Sequence, residues 1–210
     1  MFRDRTQAGE RLAKELIKQG VAADIVLAVP RGGLPVGRAV ADALGVPLDI
    51  VVARKMGAPG NPELAIGAVA SDGSVWRNDA LIHQLGVDEA YVERVRQQEA
   101  ANARDKFDRY RGERPDPDLT GQRVLIVDDG VATGATTVAC IRLAYSEGAG
   151  QVVLAVPVAP PDSVRRLEAE ADRVVAVETP AWFMAVGQFY DVFGQVSDDE
   201  AMGYLSPPGA

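Results

Sequence analysis

A single cysteine in 210 residues, Cys140, excludes an internal disulfide framework. It sits in an apolar helical pattern, so an inert buried thiol in a reducing compartment is expected. No apolar run approaches the roughly 18 residues that a membrane helix needs. The N-terminus, Met1-Phe2-Arg3-Asp4-Arg5, is charged with no apolar stretch behind it, so no secretory signal is expected. Positive charge is in deficit: 22 Lys and Arg against 30 Asp and Glu leave a formal net charge of −8. That balance disfavours non-specific nucleic-acid binding, although a local basic pocket stays compatible with it. Repeats and low-complexity blocks are absent. What is present, 47% hydrophobic and 25% charged, is an ordinary globular composition. The chain is long enough to bury a core without a metal or disulfide staple. The length allows one domain or one and a half, and a soluble, cytoplasmic α/β-type protein is the expectation.

The hydrophobic pattern alternates between short apolar runs and helical periodicity. Leu12, Leu16 and Ile17 predict a first helix over 5–19, stopped by Gly20. Residues 24–29 form an apolar run ending in Pro30, read as a buried strand, and a helix of small residues follows to Leu44. A second strand over 48–53 runs into Arg54-Lys55 and a Gly/Pro-rich loop from Met56. Residues 64–70 return as a strand, and Asp72-Gly73 turns the chain back. Residues 88–111 predict a long charged helix with Tyr91, Val92, Val95 and Phe107 as its sparse apolar side. Acids interrupt its arginines throughout, so it reads as a solvated helix clamped by those anchors. Further strands are expected at 123–129, 151–158 and 173–177, and further helices at 135–147 and 165–171. Strands alternating with helices predict an α/β fold, a mostly parallel central sheet flanked by helices. Ligands of such sheets bind at the carboxyl ends of the strands.

The most informative strand end is Val124-Leu125-Ile126-Val127-Asp128-Asp129-Gly130-Val131-Ala132-Thr133-Gly134-Ala135-Thr136-Thr137. An apolar strand delivers two adjacent carboxylates, and a loop of small residues then opens a helix. The loop amides and the helix dipole suit a phosphate, and the threonines add hydroxyl donors. No lysine follows the second glycine, so this is not a nucleoside-triphosphate loop. Asp128 and Asp129 can accept hydrogen bonds from vicinal hydroxyls. Carboxylates for a ribose beside a phosphate cradle describe a 5-phosphoribosyl site.

This segment resembles the PRPP signature of the type I phosphoribosyltransferases. Val29-Pro30-Arg31-Gly32-Gly33, after the first buried strand, resembles the pyrophosphate loop of the same family. The resemblance implies a cis peptide in that loop, expected here at Arg31–Gly32. Arg54-Lys55 resembles the pair that precedes the flexible catalytic loop of orotate- and adenine-type enzymes. That loop would run over 56–66, with Gly57, Gly60 and Pro62 as hinges and Glu63 as the nearest match to a catalytic glutamate. Glu63 reads equally as a surface residue. The segment 177–191 resembles the hood that covers the base in hypoxanthine–guanine-type enzymes, with Trp182 or Phe183 as the stacking ring. Core or dimer packing is the other reading of those aromatics. Where hypoxanthine-type enzymes place an aspartate, this chain has Ala132, so the acceptor is not legible.

The resemblance implies one phosphoribosyltransferase-like domain over 1–210. Its core spans about 24–158, with a helical insertion near 78–120 and a small C-terminal hood near 159–205. It implies transfer of 5-phosphoribosyl from PRPP to a purine or pyrimidine base in nucleotide metabolism, with release of pyrophosphate. Catalytic residues would be Asp128, Asp129 and Glu63, the two aspartates also holding the ribose. Gly130, Ala132, Thr133, Gly134, Ala135, Thr136 and Thr137 would bind the 5-phosphate. Arg31, Gly32, Gly33, Arg54 and Lys55 would bind pyrophosphate, and Trp182 and Phe183 the base. Mg2+ is the implied cofactor, held mainly through PRPP and at most by Asp128 and Asp129. The expected assembly is a homodimer with no membrane or nucleic-acid partner. The competing reading is a non-catalytic PRPP- or nucleotide-binding regulator on the same fold.

Overall fold

The computed structural model describes residues 1–206. Five short apolar runs form strands: β1 (Ile25–Ala28), β2 (Leu48–Ile50), β6 (Arg123–Val127), β7 (Gln151–Val158) and β8 (Arg173–Glu178). They pair in the order β2-β1-β6-β7-β8, every pair parallel. Successive side chains alternate between two faces, and both faces are covered, which is why the runs are almost continuously apolar. Val26, Ala28, Leu125, Val127 and Val153 face one core. There they meet α1 (Arg5–Lys18) and α2 (Gly33–Leu44). Ile25, Leu27, Val124, Ile126 and Leu154 face the other, against α5 (Ala135–Ser146) and α6 (Pro161–Leu167). Cys140 lies fully buried on α5, and burial pushes its thiol up, so it is an inert core residue.

The strand order reverses between β1 and β6. Open α/β sheets bind ligands at such a switch point, beyond the carboxyl ends of the strands. Here those ends carry 30–33 and 128–137.

The segment expected as an open loop over 56–66 is instead a paired hairpin. β3 (Ala53–Ala58) and β4 (Asn61–Ala70) run antiparallel, and β5 (Val75–Arg77) completes a separate three-stranded sheet. The physical reason is burial. Met56, Ala58, Ile66 and Val69 pack with Ile82 and Val92, which rewards strand pairing across a Gly/Pro-rich sequence. Only the tip, Pro59-Gly60, is left as a turn. The helix expected at 165–171 starts earlier, at Pro161, because proline at a first helical position costs no hydrogen bond.

The insertion forms α3 (Asp79–Leu85) and α4 (Glu89–Arg111). The expected anchors hold α4 down: Val92 and Phe107 are buried, and Tyr91 and Val95 pack at the hairpin. Its last residue, Arg111, is only 4% exposed. Its guanidinium donates to both carboxylate oxygens of Asp49 on β2, at 2.8 and 3.0 Å, and to Asp116 at 2.6 Å. Within 159–205, β8 belongs to the central sheet, so the covering part begins after Glu178 and ends in α7 (Asp198–Gly203). Among the described residues no helix is long and apolar enough to cross a membrane.

Removing one member of a buried ion pair strands the other charge, at a typical cost of about 3–5 kcal/mol. Arg111→Ala is therefore expected to lose about 3 kcal/mol in chemical denaturation. The double variant Arg111→Met, Asp49→Leu should recover much of that loss.

Candidate active site

The strand-loop-helix unit of β6 and α5 builds the first half of the site. α1, α3, α4 and α7 each begin on a side-chain cap, from Asp4, Asn78, Asp88 and Ser197. α5 begins on Gly134, at φ +76°, with no side-chain cap. Its first bond runs from the Val138 amide to the Gly134 carbonyl at 2.9 Å, so the amides of Ala135, Thr136 and Thr137 have no intrahelical partner. From the other side, α6 fixes the loop: the Ser163 hydroxyl donates to the Ala132 carbonyl and Arg166 to the Thr133 carbonyl. In a planar trans peptide the amide opposes the carbonyl, so the Thr133 and Gly134 amides point away from α6. Thr133 and Ala135 border a cavity of about 460 Å³ that Lys55 and Glu63 of the hairpin and Arg166 of α6 also line. Ser163 and Arg166 carried no sequence signal, since their contacts arise only when α6 packs against the loop.

Asp128 and Asp129 stand together at the end of β6. The Asp128 carboxylate accepts from the Asp129 amide at 2.8 Å. Burial, reinforced by the neighbouring Asp129 charge, pushes the Asp128 carboxyl well above its usual range. Burial also raises Asp129, against the pull of Arg5. Arg5 Nε donates to Asp129 Oδ2 at 2.7 Å, and Arg5 Nη1 to the Gly194 carbonyl at 2.7 Å. Its guanidinium lies 3.8 Å from the Phe193 ring centre. The Tyr190 hydroxyl donates to the Asp129 carbonyl. Arg5 and Tyr190 carried no sequence signal, since each lies far along the chain from the acids it meets.

The second strand end brings the expected pyrophosphate loop against this pair. A Cβ on Gly32 would lie 2.0 Å from Asp129 Oδ2, and one on Gly33 would lie 2.8 Å from the Val127 carbonyl. Only glycine allows β1 and β6 to end this close together. The cis peptide lies at Pro30–Arg31, one bond earlier than expected. Gly32 already has helical dihedrals, φ −61° and ψ −31°, as the cap of α2, so the chain reverses before it.

The cations converge at the same edge. Arg54 and Lys55 line a cleft of about 440 Å³ with Pro30, Glu99 and Lys106. Arg54 pairs with Glu99 and Lys55 with Glu63, both at 2.8 Å. Glu63 is 87% exposed, and Lys55 holds its carboxyl below the usual range. Arg31 lies 3.7 Å from Asp198, which also accepts from Arg109 at 2.6 Å and from the Tyr110 hydroxyl. Lys106 donates to the Pro30 carbonyl at 3.1 Å. The solvated reading of α4 missed Lys106 and Arg109.

The two hood aromatics divide. Phe183 packs on Phe189, with ring centres 5.2 Å apart, and belongs to the small cluster around Phe2 and Tyr190. Trp182 is 89% exposed. Core packing is therefore the fate of Phe183 alone. Gln188 stiffens the turn: its side chain accepts from the Met184 and Ala185 amides and donates to the Trp182 carbonyl. Val186 rests on Gly130, which seats the hood on the loop.

An acid pair, an anion cradle and a basic cleft at one switch point can hold a phosphorylated sugar bearing a second anionic group. The chain belongs to the phosphoribosyl transferase domain family, which matches residues 3–193. It is 44% identical over 205 residues to a Mycobacterium tuberculosis protein named "Putative phosphoribosyl transferase Rv0571c". That match covers 98% of this chain and 46% of the relative, so the chain spans about half the length of the curated relatives it matches. The crystal structure of TT1426 from Thermus thermophilus is 44% identical with a TM-score of 0.83, covering 98% of this chain and 97% of that one. A purine phosphoribosyltransferase from Pyrococcus horikoshii shares the fold at 18% identity and a TM-score of 0.50, over 92% of each chain.

The raised carboxyls predict a pH signature. A buried carboxylate whose folded pKa is raised costs nothing below its unfolded value near 4, and its full penalty appears once pH exceeds the folded value. Asp128→Asn keeps the acceptor for the Asp129 amide and removes the charge. It should raise Tm at pH 7 by roughly 2–4 °C, the shift for ~1 kcal/mol at this size. The gain should vanish below about pH 4, as scanning calorimetry at the two pH values would read.

Proposed function

We propose that the chain transfers a 5-phosphoribosyl group from PRPP to a nitrogenous base, a purine or pyrimidine, with release of pyrophosphate. The observation that carries this reading is the convergence at one switch point of Asp128–Asp129, the uncapped α5 loop and the basic cleft at Pro30. Each matches one part of the donor: the vicinal hydroxyls, the 5-phosphate and the diphosphate.

In the proposed reaction a base nitrogen attacks C1 of the ribose. The new C–N bond forms as the C1–O bond breaks, and pyrophosphate leaves with the electron pair. Asp128 and Asp129 hold the 2- and 3-hydroxyls and face the positive charge that develops on the ring. The loop 130–137, with the hydroxyls of Thr133, Thr136 and Thr137, holds the 5-phosphate. Arg31, Arg54, Lys55 and the Gly32–Gly33 backbone attract the leaving group. Glu63, ionised beside Lys55 and bordering the same cavity as Thr133, is the candidate acceptor for the proton the base gives up. Movement of the hairpin tip over the donor would exclude water, whose attack is the competing reaction.

The residues fit a magnesium ion shared with the substrate. Asp128 and Asp129 offer oxygen donors to a hard cation, and Asp128 has no ion-pair partner among the described residues. Among those residues no cluster of three or more His, Cys, Asp or Glu could cage an ion. When bound with PRPP, magnesium would supply charge neutralisation at the diphosphate.

Titration calorimetry with Mg-PRPP should show binding that Asp128→Asn, Asp129→Asn abolishes or weakens by at least about 10-fold per charge-assisted bond lost. Pyrophosphate release with a panel of purines, pyrimidines and other amines then identifies the acceptor. Equal donor affinity in wild type and the double variant overturns the reading. Donor binding without release for any acceptor favours the regulatory alternative.

The acceptor is proposed to be planar and to meet Trp182, the exposed ring of the pair. A stacked base is worth on the order of 1–3 kcal/mol. Trp182→Ala should therefore raise the acceptor KM about 10-fold with little change in PRPP affinity or Tm. An unchanged KM excludes Trp182 as the platform.

A further inference from the structure

We propose that Lys106, carried to the sheet edge by the inserted helix α4, is a direct ligand of the departing diphosphate. This rests on the phosphoribosyl-transfer reading above and assigns that reaction a residue outside the strand ends. Its ammonium is within hydrogen-bond distance of the Pro30 carbonyl, 3.1 Å away, and it lines the cleft of Pro30, Arg54 and Lys55. Arg54 and Lys106 also line an adjoining cleft of about 350 Å³ with Asn102, Asp105 and Arg109, so the basic surface runs on along α4.

The charges around Lys106 are what single it out. Arg54 has Glu99, Lys55 has Glu63, and Arg31 and Arg109 share Asp198. Lys106 has no ion-pair partner among the described residues. Its head is held out of much of the water by Tyr110, whose ring centre lies 5.4 Å away, and by the Pro30 loop. Burial, then repulsion from Arg31, Arg54 and Arg109 against the lone attraction of Asp198, lowers its pKa to about 8. At pH 7 the ammonium is still mostly charged, so the fold keeps a cation there against its own electrostatics. Holding the Pro30 carbonyl does not explain this, because a neutral donor would serve without the desolvation penalty. A polyanion in the cleft does explain it, since its charge would relieve the repulsion among Lys106, Arg31 and Arg54 together.

The test uses the full chain at pH 7 with Mg2+ and two separate probes, inorganic pyrophosphate and ribose 5-phosphate, in titration calorimetry. Lys106→Met and Lys106→Gln should each weaken pyrophosphate binding about 10-fold or more, and Lys106→Arg should restore it to within about 3-fold. Ribose 5-phosphate affinity should be unchanged in all three. The Tm of Lys106→Met at pH 7 should be equal to or above wild type, since a repelled cation is removed. Wild-type pyrophosphate affinity in Lys106→Gln overturns the proposal and leaves Lys106 as the holder of the Pro30 carbonyl. If wild type binds both probes and none of the variants differs, Lys106 alone is excluded and the phosphoribosyl reading stands. If wild type binds neither probe, that reading falls and this one with it.

Discussion

Two carboxylates, Asp128 and Asp129, emerge side by side from a buried strand, and the surrounding structure is arranged around that charge. Taking an ion out of water costs several kcal/mol even after relaxation, and a like charge beside it adds to the cost. Among the described residues the ion-pair partner is Arg5, which contacts Asp129. Arg5 is itself oriented by the Gly194 carbonyl and the Phe193 ring, so the first helix, the end of β6 and the hood are held as one unit. The N-terminal strand bridge between Phe2 and Tyr190, and the Tyr190 bond to the Asp129 carbonyl, close the same circuit. Gly32 completes it, since any side chain there would displace the Asp129 carboxylate. Asp128 has no ion-pair partner among the described residues and accepts only the Asp129 amide there.

The insertion between β5 and β6 changes the charge at that edge. Its apolar anchors are few, and the buried ion pair of Arg111 with Asp49 fixes its far end to the sheet. With both ends fixed, α4 lies across the open side of the Pro30 loop and presents Lys106 and Arg109 to it. α7 answers with Asp198, which is shared between Arg31, Arg109 and Tyr110. The chain as a whole is acidic, yet at this edge the acids are outnumbered by cations in reach of them. Among the described residues, Arg31, Arg54, Lys55, Lys106 and Arg109 therefore form a basic recess in an acidic surface.

The parts of the site carried by contiguous residues were legible before folding was considered. The acid pair, the small-residue loop and the Pro30–Gly33 turn each follow an apolar strand directly, so their placement at a sheet edge follows from local pattern alone. The hairpin was less legible. Its glycines and prolines signal a loop, and only the burial of Met56 and Ile66 against Ile82 and Val92 turns it into paired strands. The hood showed a similar limit. Trp182 and Phe183 are adjacent and chemically alike, and what separates them is the backbone turn that Gln188 stiffens, which sends one ring onto Phe189 and the other into solvent.

Periodicity and strand-end chemistry determined the parallel α/β sheet, the edge that carries the acid pair and the small-residue loop that follows it, because each is a property of roughly ten to fifteen consecutive residues. Tertiary structure alone decided which charges face one another there. Arg5 meets Asp129 across 124 positions of sequence, and Lys106 meets Pro30 across 76. No local pattern encodes such pairings. They arise when α1 and α4 dock on apolar faces that carry no record of the charged side chains beside them. The sequence therefore specified the acid pair and the small-residue loop at the sheet edge, and the packing of distant helices supplied the Arg5 guanidinium beside the acids and the Lys106 ammonium beside the Pro30 loop.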